Sequence, residues 1–293
     1  MKKLILILSI VIHGLMVQAQ EDTTKIWKID GSNKLTIGNI ALSNWNAGGE
    51  NATNFQLAFD YQFNYLKGKD KWDNRAIFLF GANKQGVNDF EKTDDRIDLT
   101  SMYGREASKH WYYSLEVNFK SQFIKGFEEN TDGVRVMSSN WMAPGYLTIT
   151  PGMQYSPHEN LKVFISPLSS RYTFVFDDSL SSVGAYGVDV GRRYRYELGM
   201  YANASYKHDF NDHFGTDHLL RLYSNYLDKP QNIDIDYTGK IYVKATSWFV
   251  FDFMLQVIYD HDITITSPDG TFGPRTQLKS VLGAGFTYIF KNY

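Results

Sequence analysis

The sequence predicts an all-β protein: an antiparallel transmembrane β-barrel of about twelve strands, with short periplasmic turns at one end and long outer loops at the other. Three observations predict it. Apolar and polar side chains alternate with a period of two in segment after segment, an export leader opens the chain, and short and long connections take turns between the segments.

Lys2 and Lys3 precede an apolar run from Leu4 to Val17, and Val17-Gln18-Ala19 offers the modest residues a signal peptidase reads. Residues 1–19 are therefore expected to be a signal peptide cut after Ala19. The run is too short to be a spanning helix, and no cysteine follows it, which argues against a helical anchor and a lipidated N-terminus. No later stretch approaches the roughly 18 apolar residues a helix would need, so any membrane crossing is made by strands. Residues 20–33 are expected as a short periplasmic segment and residues 34–293 as the barrel.

Composition narrows the class further. The chain has no cysteine, 16% aromatic residues and a formal net charge of -2. An exported chain without cysteine is not a small disulfide-stapled domain. Without a basic excess there is no electrostatic footprint for nucleic acid.

In chain order, the candidate strands begin with Lys34 to Leu42. The first strong case is Phe55 to Tyr65, where Phe55, Leu57, Phe59, Tyr61, Phe63 and Tyr65 oppose Gln56, Asp60, Gln62 and Asn64. Such alternation places the two sets on opposite faces of a strand. Arg75 to Ala82 and Arg96 to Tyr103 are weaker, and Trp111 to Phe123 is again strong. Tyr146 to Tyr155 and Leu161 to Ile165 follow, and Tyr172 to Phe176 either continues the strand before it or forms a hairpin in a loop. Arg193 to Lys207 and Ile233 to Lys244 alternate strongly, with His218 to Tyr226 between them. Trp248 to Asp260 carries Phe249, Phe251, Phe253, Leu255, Val257 and Tyr259 on one face, and Asp252, Gln256 and Asp260 on the other. Lys279 to Phe290 closes the chain with aromatics, similar to the C-terminal signal read by the outer-membrane assembly machinery.

The connections give an independent test. Lys67 to Asp70, Glu106 to Lys109, Ser156 to Asn160, Asn211 to Asp217 and Ala245 to Ser247 are short. The alternate set, including Asn83 to Asp95, Lys125 to Gly145, Pro167 to Gly191 and His261 to Arg275, is mostly long and rich in turn formers. A soluble barrel would also alternate, but about twelve strands would enclose a lumen that dozens of rings would have to fill. A polar lumen is easier to satisfy, since its charges can pair across it.

Leu42-Ser43-Asn44-Trp45-Asn46-Ala47-Gly48-Gly49-Glu50-Asn51 resembles the Asn-Trp-x-x-Gly-Gly signature of a family from Bacteroidetes-type bacteria known only as a domain of unknown function. Further matches fall in Trp141 to Leu147, Ser166-Pro167-Leu168, Gly187-Val188 and Asn232 to Asp236. The resemblance implies an outer-membrane-type barrel in a didermic bacterium, and it implies no activity.

Charged residues on the polar faces are the lumen-lining candidates. Asp60, Arg96, Asp98, Glu116 and Lys120 come from the first half of the chain. Arg193, Arg195, Glu197, Arg221, Asp234, Asp236, Lys240, Lys244 and Asp252 come from the second. Rings of one sign would suggest ion selectivity. Mixed signs suggest ion pairs across a constricted lumen. At the first outer hairpin, Asn44, Trp45, Gly48 and Gly49 read either as a partner contact or, preferably, as a tight turn with Trp45 in the interfacial aromatic belt.

Three further features have bland readings that outweigh their chemical ones. His208, Asp209, Asp212, His213, Asp217 and His218 crowd one turn, but without the paired spacing of a zinc site. Asp260-His261-Asp262 could orient a basic imidazole if Ser280 or Ser224 lay beside it. The loop from Pro167 to Gly191, with Tyr172, Phe174, Phe176 and Tyr186, folds either inward as a constriction or outward as a contact surface. No catalytic residue, metal or cofactor is therefore expected. The reading is a non-enzymatic outer-membrane barrel, either a narrow solute channel or a structural component of an envelope complex, with a lipid-modifying hydrolase as the alternative. Its expected partners are outer-membrane lipid, the assembly machinery and other envelope proteins.

Overall fold

The computed structural model describes residues 26–40, 51–86, 88–129, 133–266 and 271–292. The leader and the Asn44, Trp45, Gly48, Gly49 motif lie outside the described residues. Among the described residues there are sixteen strands: β1 (Trp27–Ile40), β2 (Ala52–Lys67), β3 (Asp70–Gln85), β4 (Glu91–Ser108), β5 (Trp111–Ser121), β6 (Gly126–Glu129), β7 (Arg135–Ser139), β8 (Gly145–His158), β9 (Leu161–Phe174), β10 (Tyr194–Asp209), β11 (Phe214–Asn225), β12 (Asp234–Lys244), β13 (Phe249–Tyr259), β14 (Thr264–Thr266), β15 (Phe272–Pro274) and β16 (Gln277–Lys291).

Twelve of these form one closed antiparallel barrel in which each strand pairs with its neighbours in sequence, and β1 pairs with β16 to close the ring. Closure removes every unpaired strand edge, which is what allows strands to sit in hydrocarbon. The remaining four make two hairpins, β6 with β7 and β14 with β15, inside long loops. The ring places all short turns at one end, the turn end, and all long connections at the other, the loop end.

Register sorts the side chains as the alternation requires. Along β16, Leu278, Leu282, Phe286 and Tyr288 point outward, and Leu282 is 83% exposed. Phe251 and Phe253 on β13, and Tyr113 and Leu115 on β5, are also exposed on the outer wall. Aromatic pairs bound this apolar belt. At the turn end Trp27 meets Tyr65 and Trp72, Trp111 meets Tyr155 at 4.9 Å, and Trp248 stacks on Phe286 at 5.6 Å. At the loop end Tyr172 meets Tyr196 at 4.9 Å, and Phe55 meets Phe80 and Phe90. A girdle of exposed apolar side chains between two aromatic rims is untenable in water and is what acyl chains require. The exterior is a membrane-facing surface.

Most strands run a few residues beyond the expected ranges, as β3, β4 and β8 do at both ends, and other differences change the architecture. β1 begins at Trp27 and not at Lys34, so 27–33 belong to the barrel wall and not to a periplasmic segment. Tyr172 and Phe174 continue β9 past a bulge at Ser166-Pro167-Leu168, where the pairing with β10 shifts between Gly199 and Tyr201. There the Ser166 hydroxyl donates to the Pro151 carbonyl at 2.6 Å and accepts from the Leu168 N–H at 3.0 Å, replacing ladder bonds that the bulge removes. The connection after β5 contains the β6–β7 hairpin.

The connection after β9 contains a short helix α1 (Asp178–Ser182), capped by Asp177. These two connections pack together through Ala143, Val175, Leu180 and Val188, with Met137 and Ala185 against them. The 175–191 segment therefore does not stand free. It forms an ordered cap with its neighbour loop, joined by Asn140 donating to Asp177 at 2.8 Å and by the Tyr186 hydroxyl on the Ser138 carbonyl.

Candidate functional site

The lumen holds the chemistry. Near the turn end, Asp73 on β3 accepts from Lys71 at 3.0 Å and from Lys162 on β9 at 3.1 Å. Arg75 forks onto Asp60 with Nε at 2.9 Å and Nη2 at 2.6 Å, and Nη2 also reaches Asp217 on β11 at 3.5 Å. β3 and β11 stand on opposite sides of the ring, with five strands between them either way. Two side chains that meet from opposite walls leave no wide channel at that level.

At mid-height Arg221 bridges Asp98 at 3.5 Å and Asp236 at 3.4 Å, and Lys120 reaches Asp236 at 3.5 Å. Asn118 donates to Asp98 at 2.7 Å, and Asn203 donates to Glu116 at 3.0 Å. Beside them lies an apolar cluster of Met102, Phe164, Tyr201 and Tyr223. Phe164 points inward at only 1% exposure, its ring seated over Gly152, diagonal to it on β8, which has no Cβ to collide with it. This cluster adds an apolar part to the polar lumen that the alternation leads one to expect: the interior is part ion-pair network and part apolar cluster.

Near the loop end Arg171 forks onto Glu197, with Nε to Oε2 at 2.8 Å and Nη2 to Oε1 at 2.9 Å. Its third nitrogen reaches Asp234 at 3.3 Å, and its guanidinium lies 4.2 Å from the centre of the Tyr223 ring. Glu197 is 1% exposed and also accepts from Arg195 and Asn225, each at 3.1 Å. Bidentate pairing and extra donors are what make a buried carboxylate tolerable. Lys34 pairs with Asp252, and Lys279 pairs with Asp94.

Of the expected lining residues, Asp60, Asp98, Glu116, Lys120, Arg195, Glu197, Arg221, Asp234, Asp236 and Asp252 take part in these contacts, and Lys244 pairs with Asp209 at 3.2 Å near the turn end. Arg96 and Lys240 share their face, Arg96 in register with Leu79 and Lys240 with Asp217. Arg193 is a correction: it precedes β10 and pairs with Asp178 of α1 at 2.7 Å in the outer cap, because the strand starts one residue later. Arg75, Asp73, Lys162, Arg171 and Phe164 were missed. Arg171 fell in a presumed loop, and Phe164, although it shares the face of Lys162, carries no charge to mark it as lining.

The histidine-rich turn is divided by the wall. Asp209 and Asp217 face inward, and His208 and His218 face outward, where His218 bonds Thr216 at 2.6 Å and the Tyr237 hydroxyl at 2.8 Å. Among the described residues no cluster fits a metal. His261 lies 3.5 Å from the Tyr259 hydroxyl. Ser224 donates to the Pro230 carbonyl at 2.6 Å, and Ser280 sits on the exposed outer wall of β16.

Fold and lumen together define the class, a transmembrane β-barrel of the outer-membrane type with an ion-paired interior. The model of a family described as "Protein of unknown function (DUF3078)" matches residues 37–127. No curated protein matches the chain. Among solved structures, the translocator domain of the autotransporter NalP from Neisseria meningitidis is similar at 10% identity and a TM-score of 0.39, covering 96% of this chain and 94% of that one. An outer membrane channel from Pseudomonas putida F1 is similar at 9% identity and a TM-score of 0.40, covering 93% and 98%. The outer membrane channel DcaP of Acinetobacter baumannii is similar at 8% identity and a TM-score of 0.32, covering 90% and 96%.

Proposed function

We propose that this chain is a non-enzymatic barrel of the bacterial outer membrane, exported and inserted with its loop end outside, whose lumen is shut at rest and admits small solutes only when its ion-pair network rearranges. The carrying observation is the mid-height closure: Arg221 between Asp98 and Asp236, backed by Phe164 and Tyr223. A water-filled pore would leave such groups hydrated. Asp98 and Phe164 are instead almost wholly buried. Short turns inside and long loops outside set the orientation, as barrels inserted from the periplasm have them.

The test is single-channel recording in planar bilayers. The natural chain is expected to be almost silent, and Arg221→Ala combined with Phe164→Ala to produce discrete conductance steps. Large steady steps from the natural chain would refute the closure. A structural role in an envelope complex is the second reading, favoured by the ordered cap, which presents Trp141, Val183 and Val190 to the outside. Silence in both forms, with a stoichiometric partner on native purification, would select it.

A further inference from the structure

Above the closure, at the loop end, lies a cavity of about 670 Å³, within the size range of small-molecule sites. Arg195, Asn225, Asp228, Lys229, His261 and Asp262 line it, together with backbone at Gly187 and Gly273. We infer that this cavity binds a small zwitterionic solute, an amino acid or short peptide, through its carboxylate and its ammonium group. The inference deepens the channel reading, and rests on it for the statement that the cavity opens to the outside.

Four features support that class of ligand. The lining carries two cations, Arg195 and Lys229, and two carboxylates, Asp228 and Asp262, so a solute bearing one charge of each sign fits without net cost in charge. Arg195 Nη2 is shared between Glu197 at 3.1 Å and Asp262 at 2.6 Å. Glu197 is fixed by Arg171 and Asn225, whereas Asp262 stands on a loop and is about one-third exposed. Asp262 thus occupies the place of a ligand carboxylate, and an incoming carboxylate can replace it on the guanidinium in the same charge-assisted geometry. Asp262, once displaced, joins Asp228 in accepting from an ammonium.

Lys229 is held at φ 46°, a left-handed conformation uncommon for a lysine, by a loop in which the Asn232 N–H donates to its carbonyl at 2.9 Å. Strained positions of this kind concentrate at ligand clamps. Finally, Tyr196 lines the cavity, but its ring lies against Tyr172 on the outer wall, so the aromatic plate that a sugar ring would stack on is turned away.

Isothermal titration of the full chain in detergent micelles tests this with alanyl-alanine as the probe, and propionate, propylamine and sucrose as comparisons. Alanyl-alanine is expected to bind saturably and at least tenfold more tightly than either single-charge analogue. Lys229→Gln and Asp228→Asn, both in a loop outside the barrel wall, are each expected to weaken it at least fivefold. The inference is overturned by sucrose binding as tightly, by both variants binding like the natural chain, or by no saturable heat at about 10 mM, where even a millimolar Kd would register. Micelle binding does not depend on conductance, so its failure and the failure of the channel reading are separately visible.

Discussion

Leu282→Arg probes whether the outer wall faces hydrocarbon. Leu282 is 83% exposed and points outward two positions from Ala284, the middle residue of β16. With a rise of about 3.4 Å per residue and a tilt near 45°, it lies roughly 5 Å from the bilayer mid-plane. An arginine on the lipid face close to that plane destabilises a barrel by about 2–4 kcal/mol, falling towards zero at the rims. On a water-exposed wall the same change at so open a position would stay within about 0.5 kcal/mol.

The predicted loss is therefore about 2–3 kcal/mol, some 30- to 150-fold in the folding equilibrium. Reversible urea unfolding in phosphatidylcholine vesicles, followed by tryptophan fluorescence, measures it. Val190→Arg supplies the control, since Val190 is 73% exposed but sits in the outer cap. Equal, negligible losses for both substitutions would refute the membrane assignment of the exterior.

Two other outcomes are expected. Arg171→Met strands Glu197 with only Arg195 and Asn225 as donors, and should lower stability by about 2–3 kcal/mol, less than a fully orphaned buried charge would. Lys28→Met, which removes an exposed pair with Glu159, should change it by no more than about 0.5 kcal/mol in the same urea titration, and equal effects would deny the network its structural role.

In the cap, the hydrogen bond from Asn140 and those from the Ser179 and Leu180 amides hold the Asp177 carboxyl below its ordinary value. Because the folded form has the lower pKa, this contribution is complete above the usual carboxylate range and fades as pH falls through the folded value. The protection of the Ser179 and Leu180 amides, taken relative to their intrinsic exchange rates at each pH, should fall there, and exchange at neutral pH should be several-fold faster in Asp177→Ala, as loss of a helix cap predicts.

Strand existence was legible wherever the lumen face is polar. β2, β5, β10, β12 and β13 keep nearly clean two-residue patterns. β3 looked weak because Ile77 and Leu79 face the lumen, in register with Asp98 and Arg96, and so blur its alternation. β9 broke into two fragments because the bulge at Pro167 shifts its phase by one residue, sending Ser166 and Ser169 to the same side.

The charged candidates were found by face, which is local information. Their partners were not, because Arg75 and Asp217 are 142 positions apart and only ring closure makes them neighbours. The loop-end cavity was invisible for the same reason: its walls come from three separate connections and the ends of β10 and β11.

The seam between β1 and β16 has a consequence for how this molecule comes into being. Ile29 donates its N–H to Asn292 across 263 positions, and the ladder between these strands is what shuts the ring. Until the final strand is in hand, the first has an open edge and the apolar wall has no finished shape. Such extreme sequence separation makes the last step slow and leaves the incomplete sheet prone to sticking to others of its kind. A polypeptide of this design keeps that edge open until both its ends can meet.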